Sequence, residues 1–293
     1  MNLETTLEGL GALAHAGRMS VFRLLARRAP ETVSAGDLAR ALDLKASTLS
    51  VYLSILTRAG LVRQERAGRF IRYGIDLDNL GQLVEHLVND CGRGRPEILA
   101  NLVGEAPRPT GLPAEDVCNV LFVCTGNSAR SIFAEALLEQ LGGGRFRAFS
   151  AGTSPYPALN PFTEEVLRAE GHDVSKYRPK PVDMFYEPNA PKMDFVFTVC
   201  DHAANEECPP LPGQPVSAHW GMADPVRLVG SVAEQALAFR QTYGGLQRRL
   251  EAFVALPFTR LNRLSLQRKL DAIGRSSGDI PSLRQVVLED TDD

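Results

Sequence analysis

Tryptophan occurs once in this chain, histidine and cysteine five times each, and aromatic side chains make up only 7% of its 293 residues. The cysteines, at 91, 118, 124, 200 and 208, are too few and too unevenly spread for a secreted disulfide framework. Reduced thiols in a cytoplasmic setting, some of them reactive, are expected instead. His15, His86, His172, His202 and His219 fall in no ligand-spaced group, so no metal and no tightly bound cofactor is expected. The sequence has no run of about 18 apolar residues and no basic start followed by an apolar stretch, so neither a membrane span nor a secretory signal is expected. Neither sign of charge dominates, with 32 Lys and Arg against 35 Asp and Glu, but residues 1–95 carry +3 and the remainder −6. A mildly basic first part is a weak pointer to nucleic acid.

A chain of this length suggests two domains. Residues 92–115 hold Gly92, Gly94, Pro96, Gly104, Pro107, Pro109, Gly111 and Pro113, a density of breakers that marks a boundary. The expected organisation is a first domain over residues 1–100, a linker over 101–117 and a second domain over 118–275. The polar tail, 276–293, ends Glu-Asp-Thr-Asp-Asp and is expected to be largely disordered.

In the first domain Leu7, Leu10, Leu13 and Ala14 have helical spacing, punctuated by Gly17. Residues 19–28 read as a second helix with Val21, Leu24 and Leu25 inward, ended by Pro30. Ser34 is placed to cap a short third helix. A fourth runs from Lys45 to about Leu56, and residues 61–65 and 70–73 form a hairpin with the basic tip Arg66-Ala67-Gly68-Arg69. Residues 80–88 return to helix. This pattern is a winged helix-turn-helix. Ser47, Thr48, Ser50 and Tyr52 would face the major groove of double-stranded operator DNA, and Arg69 and Arg72 would meet phosphate or the minor groove.

The stretch from Leu10 to Leu25, the Ser-Thr-Leu-Ser-x-x-Leu-x-x-Leu run from Ser47, and Ala59-Gly60-Leu61-Val62 resemble the ArsR-type family of dimeric, ligand-released repressors. The resemblance covers about residues 5–100 and implies a homodimer paired through the first and last helices. It also implies an inducer bound by cysteines or carboxylates. The cysteine pair of the arsenite-sensing members would fall near Val33-Ser34-Ala35, which has none. Of the cysteines that another branch carries after its last helix, only Cys91 remains. Cys91 is thus a candidate inducer thiol, although trivalent arsenic wants about three thiolates.

The second domain is organised around Val120-Leu-Phe-Val-Cys124-Thr125-Gly126-Asn127-Ser128-Ala129-Arg130-Ser131. This reads as a buried strand, a tight loop and a helix. Backbone N–H groups at a helix N-terminus converge on one point, and the dipole adds positive charge there. Arg130 offers a bidentate fork, and Gly126 and Asn127 accept unusual backbone angles. The loop, Thr125, Gly126, Asn127, Ser128, Ala129 and Arg130, is expected to cradle a tetrahedral oxyanion above Cys124. The Cys124 thiol is expected to lose its proton easily. Further strands at 146–151, 193–200 and 216–218 alternate with helices from Asn160-Pro161 (Val166, Leu167 and Ala169 inward), over 232–256 and over 263–273. The fold class is α/β: a winged helix followed by a doubly wound parallel sheet, with Cys118 and Trp220 in its core.

Cys-Thr-Gly-Asn-Ser-x-Arg-Ser resembles the low-molecular-weight tyrosine phosphatase superfamily and, within it, the arsenate reductase branch. Thr198-Val199-Cys200-Asp201, Cys208-Pro209 and Ala218-His219-Trp220-Gly221 extend the similarity to the thiol-coupled arsenate reductases, over about residues 118–275. The superfamily places an Asp-Pro where Asp224-Pro225 stands, which implies Asp224 as general acid. The resemblance also implies that Ser131 holds Cys124 as thiolate, that Cys124 attacks arsenate, and that Cys200 and Cys208 relay the resulting oxidation to thioredoxin or to glutaredoxin and glutathione. The segment after Cys200 should then be mobile. A tyrosine phosphatase would need Cys124, Arg130 and Asp224 but neither Cys200 nor Cys208, and such relatives usually carry an aromatic where Val226 stands. A third reading, an oxyanion-sensing regulator without catalysis, leaves Cys200 and Cys208 without a task.

Overall fold

The computed structural model describes residues 2–68, 70–93, 117–205, 211–212, 215–261 and 263–276. The chain forms two compact units, one of residues 1–109 with 204–210 and one of the rest.

The first unit runs α1 (Leu3–Leu13), α2 (Ala16–Arg28), β1 (Val33–Ser34), α3 (Ala35–Ala41), α4 (Ala46–Arg58), β2 (Val62–Ala67), β3 (Phe70–Ile75) and α5 (Leu77–His86), which continues into a π-helical turn, Leu87–Cys91. The strands form an antiparallel sheet in the order β1-β3-β2. Leu49, Leu53 and Leu56 recur on one face of α4 and close a core with Val21, Leu24, Leu25 and Leu38. Ser34 caps α3 as expected, its hydroxyl accepting the Asp37 N–H at 3.1 Å.

Two local readings change, at Gly17 and at the hairpin tip. Gly17 is not a break: α2 begins at Ala16, with the His15 ring accepting the Gly17 N–H at 3.1 Å. In α1 the buried face is Thr6, Gly9 and Ala12, while Leu3, Leu7 and Leu10 are exposed. The small Gly9 lets Leu83 of α5 come close, so the leucines point away. The hairpin pairs as far as Ala67↔Phe70, leaving a tip of two residues with Gly68 at φ +61°, where glycine is at ease.

The second unit runs β4 (Cys118–Cys124), α6 (Arg130–Leu141), β5 (Phe146–Gly152), α7 (Pro161–Ala169), β6 (Phe195–Thr198), α8 (Asp201–Asn205, whose last two residues are counted with the first unit), β7 (Val216–His219), α9 (Val232–Val254) and α10 (Arg263–Arg275). Its four strands are parallel in the order β5-β4-β6-β7. The apolar run of β4 suits a strand paired on both edges and covered by helices. Cys118 and Trp220 are buried, the indole stacked on Phe197 at 4.0 Å between centroids. Val166 and Leu167 of α7 are buried, but Ala169 is exposed, because the helix ends there and turns away at Glu170. The chain proceeds from β4 to β5 on one side and then returns to β6 on the other. The carboxyl ends of β4 and β6 therefore flank the reversal of strand order, the place where open α/β sheets bind ligands.

Candidate active site

Cys124 is the last residue of β4, and Cys200 follows β6 by two residues, so the topology delivers two thiols to the same sheet edge. The two strands are hydrogen-bonded neighbours. Cys200 Sγ lies 3.5 Å from the Thr125 hydroxyl and accepts the Ala203 N–H of α8 at 3.3 Å. Cys208 lies outside the described residues.

The loop between Cys124 and α6 is held from several sides. Carbonyls of Cys124, Thr125 and Gly126 accept the N–H groups of Thr153, Ser154 and Tyr156 at 3.1, 2.9 and 2.9 Å. Gly126 has no side chain because the Tyr156 ring lies on it, 2.6 Å from where a Cβ would stand. Asn127, not Gly126, takes the left-handed conformation, with φ 45°. Its buried amide donates to the Ser131 and Ser150 hydroxyls, both at 2.8 Å, and accepts the Lys180 N–H at 2.7 Å. Ser150 in turn donates to Glu135, whose carboxylate pairs with the Lys180 ammonium at 2.8 Å. Glu135, Ser150, Tyr156 and Lys180 were not legible as site residues. They lie on four separate elements or loops and share no local motif.

Helix α6 starts without a side-chain cap, at Ala129. Its first-turn N–H groups have no acceptor within the helix. Ser128, Ala129, Arg130 and Ser131 are buried. Arg130 Nη2 meets Asp224 Oδ2 at 2.7 Å, and Nη1 donates to the Met222 carbonyl at 3.2 Å. Asp224 opens the short turn Pro225–Arg227, its other oxygen accepting the Val226 N–H at 3.1 Å. The expected acid and the expected oxyanion fork are thus in direct contact. Below Cys200, His219 bridges the Thr198 hydroxyl at 2.8 Å and Asp201 at 3.0 Å, tying β7 to the chain on either side of the thiol.

The expectation of an easily ionised Cys124 is corrected. Burial pushes its thiol up from the ordinary range, opposed by the Ser131 hydroxyl and the Arg130 charge, while the nearby Cys200 adds a smaller upward push. Counting donors along the sequence misses this because desolvation depends on what closes over the sulfur. Ser131 Oγ is 2.9 Å from Cys124 Sγ, and the Asn127 N–H points at the sulfur from 3.2 Å. Alkylation of Cys124 by iodoacetamide should accelerate up to a pH above the ordinary thiol range. Ser131→Ala should shift that profile further upward and slow the reaction at neutral pH by roughly tenfold, the worth of a hydrogen bond to a charged group. An unshifted profile in Ser131→Ala would remove Ser131 from the site.

In the first unit Ser47 and Ser50 are exposed on α4, and Thr48 is partly buried. Tyr52 departs from them: its ring packs on His15 at 5.1 Å between centroids and over Gly17. Arg72 binds Thr32 through its side-chain oxygen at 3.1 Å and also through its carbonyl, which ties β3 to the turn before β1. Arg69 lies outside the described residues. Cys91 is exposed at the end of the π-helical turn. Among the described residues no helix is long and apolar enough to cross a membrane.

Fold and site define a parallel α/β domain with a buried thiol in an oxyanion-type loop, preceded by a winged helix-turn-helix. The chain belongs to the low molecular weight phosphotyrosine protein phosphatase family, whose model matches residues 119–268, and a helix-turn-helix domain family matches residues 13–65. It is similar to a protein named arsenate reductase from Bacillus subtilis, 34% identical over 134 residues that make up 46% of this chain and 93% of that protein. A protein of the same name from Halalkalibacterium halodurans is 31% identical over the same shares. A solved structure described as an arsenate reductase in the phosphate binding state is 25% identical, with 47% of this chain and 98% of that chain covered and a TM-score of 0.39.

Proposed function

We propose that this chain is a DNA-binding transcriptional regulator fused to an arsenate reductase, with residues 1–100 as regulator, 101–117 as linker and 118–275 as reductase. The observation that carries the reading is the second thiol, Cys200, 3.5 Å from the hydroxyl of Thr125 in the loop that starts at Cys124. Hydrolysis of a phosphate ester needs one nucleophile and no electrons. Reduction of arsenate takes two electrons, and a pair of thiols supplies them on becoming a disulfide. Relatives named arsenate reductase, alike along nearly their whole length, support the same reading.

Arsenate sits on the first-turn N–H groups of α6 and in the fork of Arg130. Cys124 attacks arsenic as thiolate, and Asp224 protonates the departing oxygen, which leaves as water. Cys200 then attacks Cys124 Sγ. An S–S bond forms, the S–As bond breaks, and its electron pair stays on arsenic, which departs as arsenite. Cys208 attacks Cys200 and expels Cys124 as thiolate, and thioredoxin or glutaredoxin reduces the Cys200–Cys208 disulfide. Each exchange needs Cα separations of roughly 4.4–6.8 Å.

In the regulator, Ser47, Thr48 and Ser50 of α4 read operator DNA. Homodimerisation through α1 and α5 covers Leu3, Leu7, Leu10 and Val84, which are 60, 59, 39 and 42% exposed. The experiment is steady-state arsenate turnover by the full chain with a thioredoxin or glutaredoxin system, for wild type, Cys200→Ser and Cys208→Ser, each also assayed for aryl-phosphate cleavage. Turnover is expected in wild type and lost in both variants, while any aryl-phosphate cleavage survives. Aryl-phosphate turnover indifferent to both cysteines, with no arsenate reduction, would make the domain a phosphatase.

A further inference from the structure

We infer that Val51 of α4 determines the sequence specificity of the regulator: its side chain reads the C5-methyl group of thymine in the major groove, so the operator half-site carries an A·T pair beneath it. The inference rests on the reading of residues 1–100 as a DNA-binding regulator. In a winged helix-turn-helix the second helix of the turn lies in the major groove. Here that helix is α4. Its Leu49, Leu53 and Leu56 are buried in the core, Thr48 and Ile55 are partly buried, and the Tyr52 ring packs on His15. What remains is one exposed stripe, Ala46, Ser47, Ser50, Val51, Ser54 and Arg58, recurring at spacings of three and four residues.

The chemistry of that stripe decides what it can read. Guanine is recognised by the paired donors of arginine or lysine, adenine by the amide of asparagine or glutamine, and cytosine by a carboxylate. From Ala46 to Ser54 the stripe has none of these groups. The serine hydroxyls both donate and accept, so they meet any base edge. The groups that discriminate are Val51, 57% exposed, and the smaller methyl of Ala46. The base edge that offers them an apolar partner is thymine, and contact takes its methyl and those of Val51 out of water together.

The charges around the stripe complement a duplex. Residues 45–58 carry Lys45 and Arg58 and no acidic residue. Both cations are exposed, at opposite ends of the helix and about 20 Å apart along its axis. They are placed for phosphates at the edges of the groove, while the middle of the helix faces the bases. In the wing, Arg63 binds the Ile75 and Pro30 carbonyls and Arg72 binds Thr32, so both hold the fold, whereas Arg66 is exposed on β2. Phosphate contacts by Lys45, Arg58 and Arg66 supply affinity without sequence preference, which leaves that preference to the stripe.

The test begins with selection of duplexes from a randomised double-stranded DNA library by the reduced full chain. The selected duplex, and versions in which single thymines are replaced by deoxyuridine, which lacks only the C5-methyl, are then titrated by fluorescence anisotropy. Wild type should lose about fourfold in affinity at the thymine under Val51, the worth of one buried methyl group. Val51→Ser should bind the thymine duplex more weakly with an unchanged salt dependence, and should no longer distinguish thymine from deoxyuridine at that place. Val51→Ile, which keeps a branched apolar tip, should still distinguish them. A wild-type chain indifferent to every methyl, or a methyl effect that Val51→Ser leaves intact at every position, would overturn the assignment and leave the regulator standing. Retention of no duplex would remove the regulator reading itself, and the assignment of Val51 with it.

Discussion

Arg130→Lys is expected to lower kcat/KM for arsenate by about 10²–10³-fold, although the positive charge is kept. The guanidinium reaches Asp224 at 2.7 Å with one nitrogen and the Met222 carbonyl at 3.2 Å with another, and only 9% of the side chain is exposed. A lysine ammonium is a point donor on a flexible stem and cannot hold both partners while presenting a fork to the oxyanion. The substitution therefore removes two things: the bidentate grip on the oxyanion and the restraint on Asp224. Because the two side chains act as a pair, Arg130→Lys combined with Asp224→Asn should cost less than the product of the single effects. Single-turnover kinetics with all four proteins would measure this. A lysine variant within a few-fold of wild type would mean that the fork is not what binds arsenate.

Lys180→Met is expected to destabilise the second unit by about 3–5 kcal/mol at neutral pH, the usual consequence of leaving one member of a buried ion pair alone. The pair sits under the active loop, with Glu135 8% and Lys180 17% exposed at the side chain. Burial already holds the Glu135 carboxyl above its ordinary range, and Lys180, followed by Ser150, pulls it down. A carboxyl whose folded value exceeds its unfolded value favours the protonated folded state. Its contribution is therefore present at acid pH and falls away as pH rises through the carboxylate range. Removing the ammonium raises the folded value further, so the deficit of Lys180→Met should shrink on acidification. Denaturant unfolding across that range would show it, and Glu135→Gln added to Lys180→Met should recover most of the loss. A pH-independent deficit would mean that lost packing of the lysine stem, not its charge, is responsible.

Much of this was legible in the chain because its signals are local. The apolar run ending at Cys124, the Gly-Asn turn and the helix opening at Arg130 belong to consecutive residues, and each obeys short-range rules of strand, loop and cap. The leucine spacing of α4 and the Ser34 cap were readable for the same reason. Where a reading went astray, a distant partner decided. Thr32, forty residues away, drew in the Arg72 side chain.

By itself, then, the sequence determined the two-part organisation, the parallel α/β class and the Cys-x5-Arg loop, all of which rest on periodicity and on neighbours a few residues apart. Only the tertiary structure decided that Cys200 comes beside Thr125, that Asp224 pairs with Arg130, that Asn127 is anchored through Ser150, Glu135 and Lys180, and that burial raises rather than lowers the Cys124 thiol. Those outcomes depend on strand order and on the exclusion of water. Both arise from contacts between residues tens of positions apart, which no local pattern encodes.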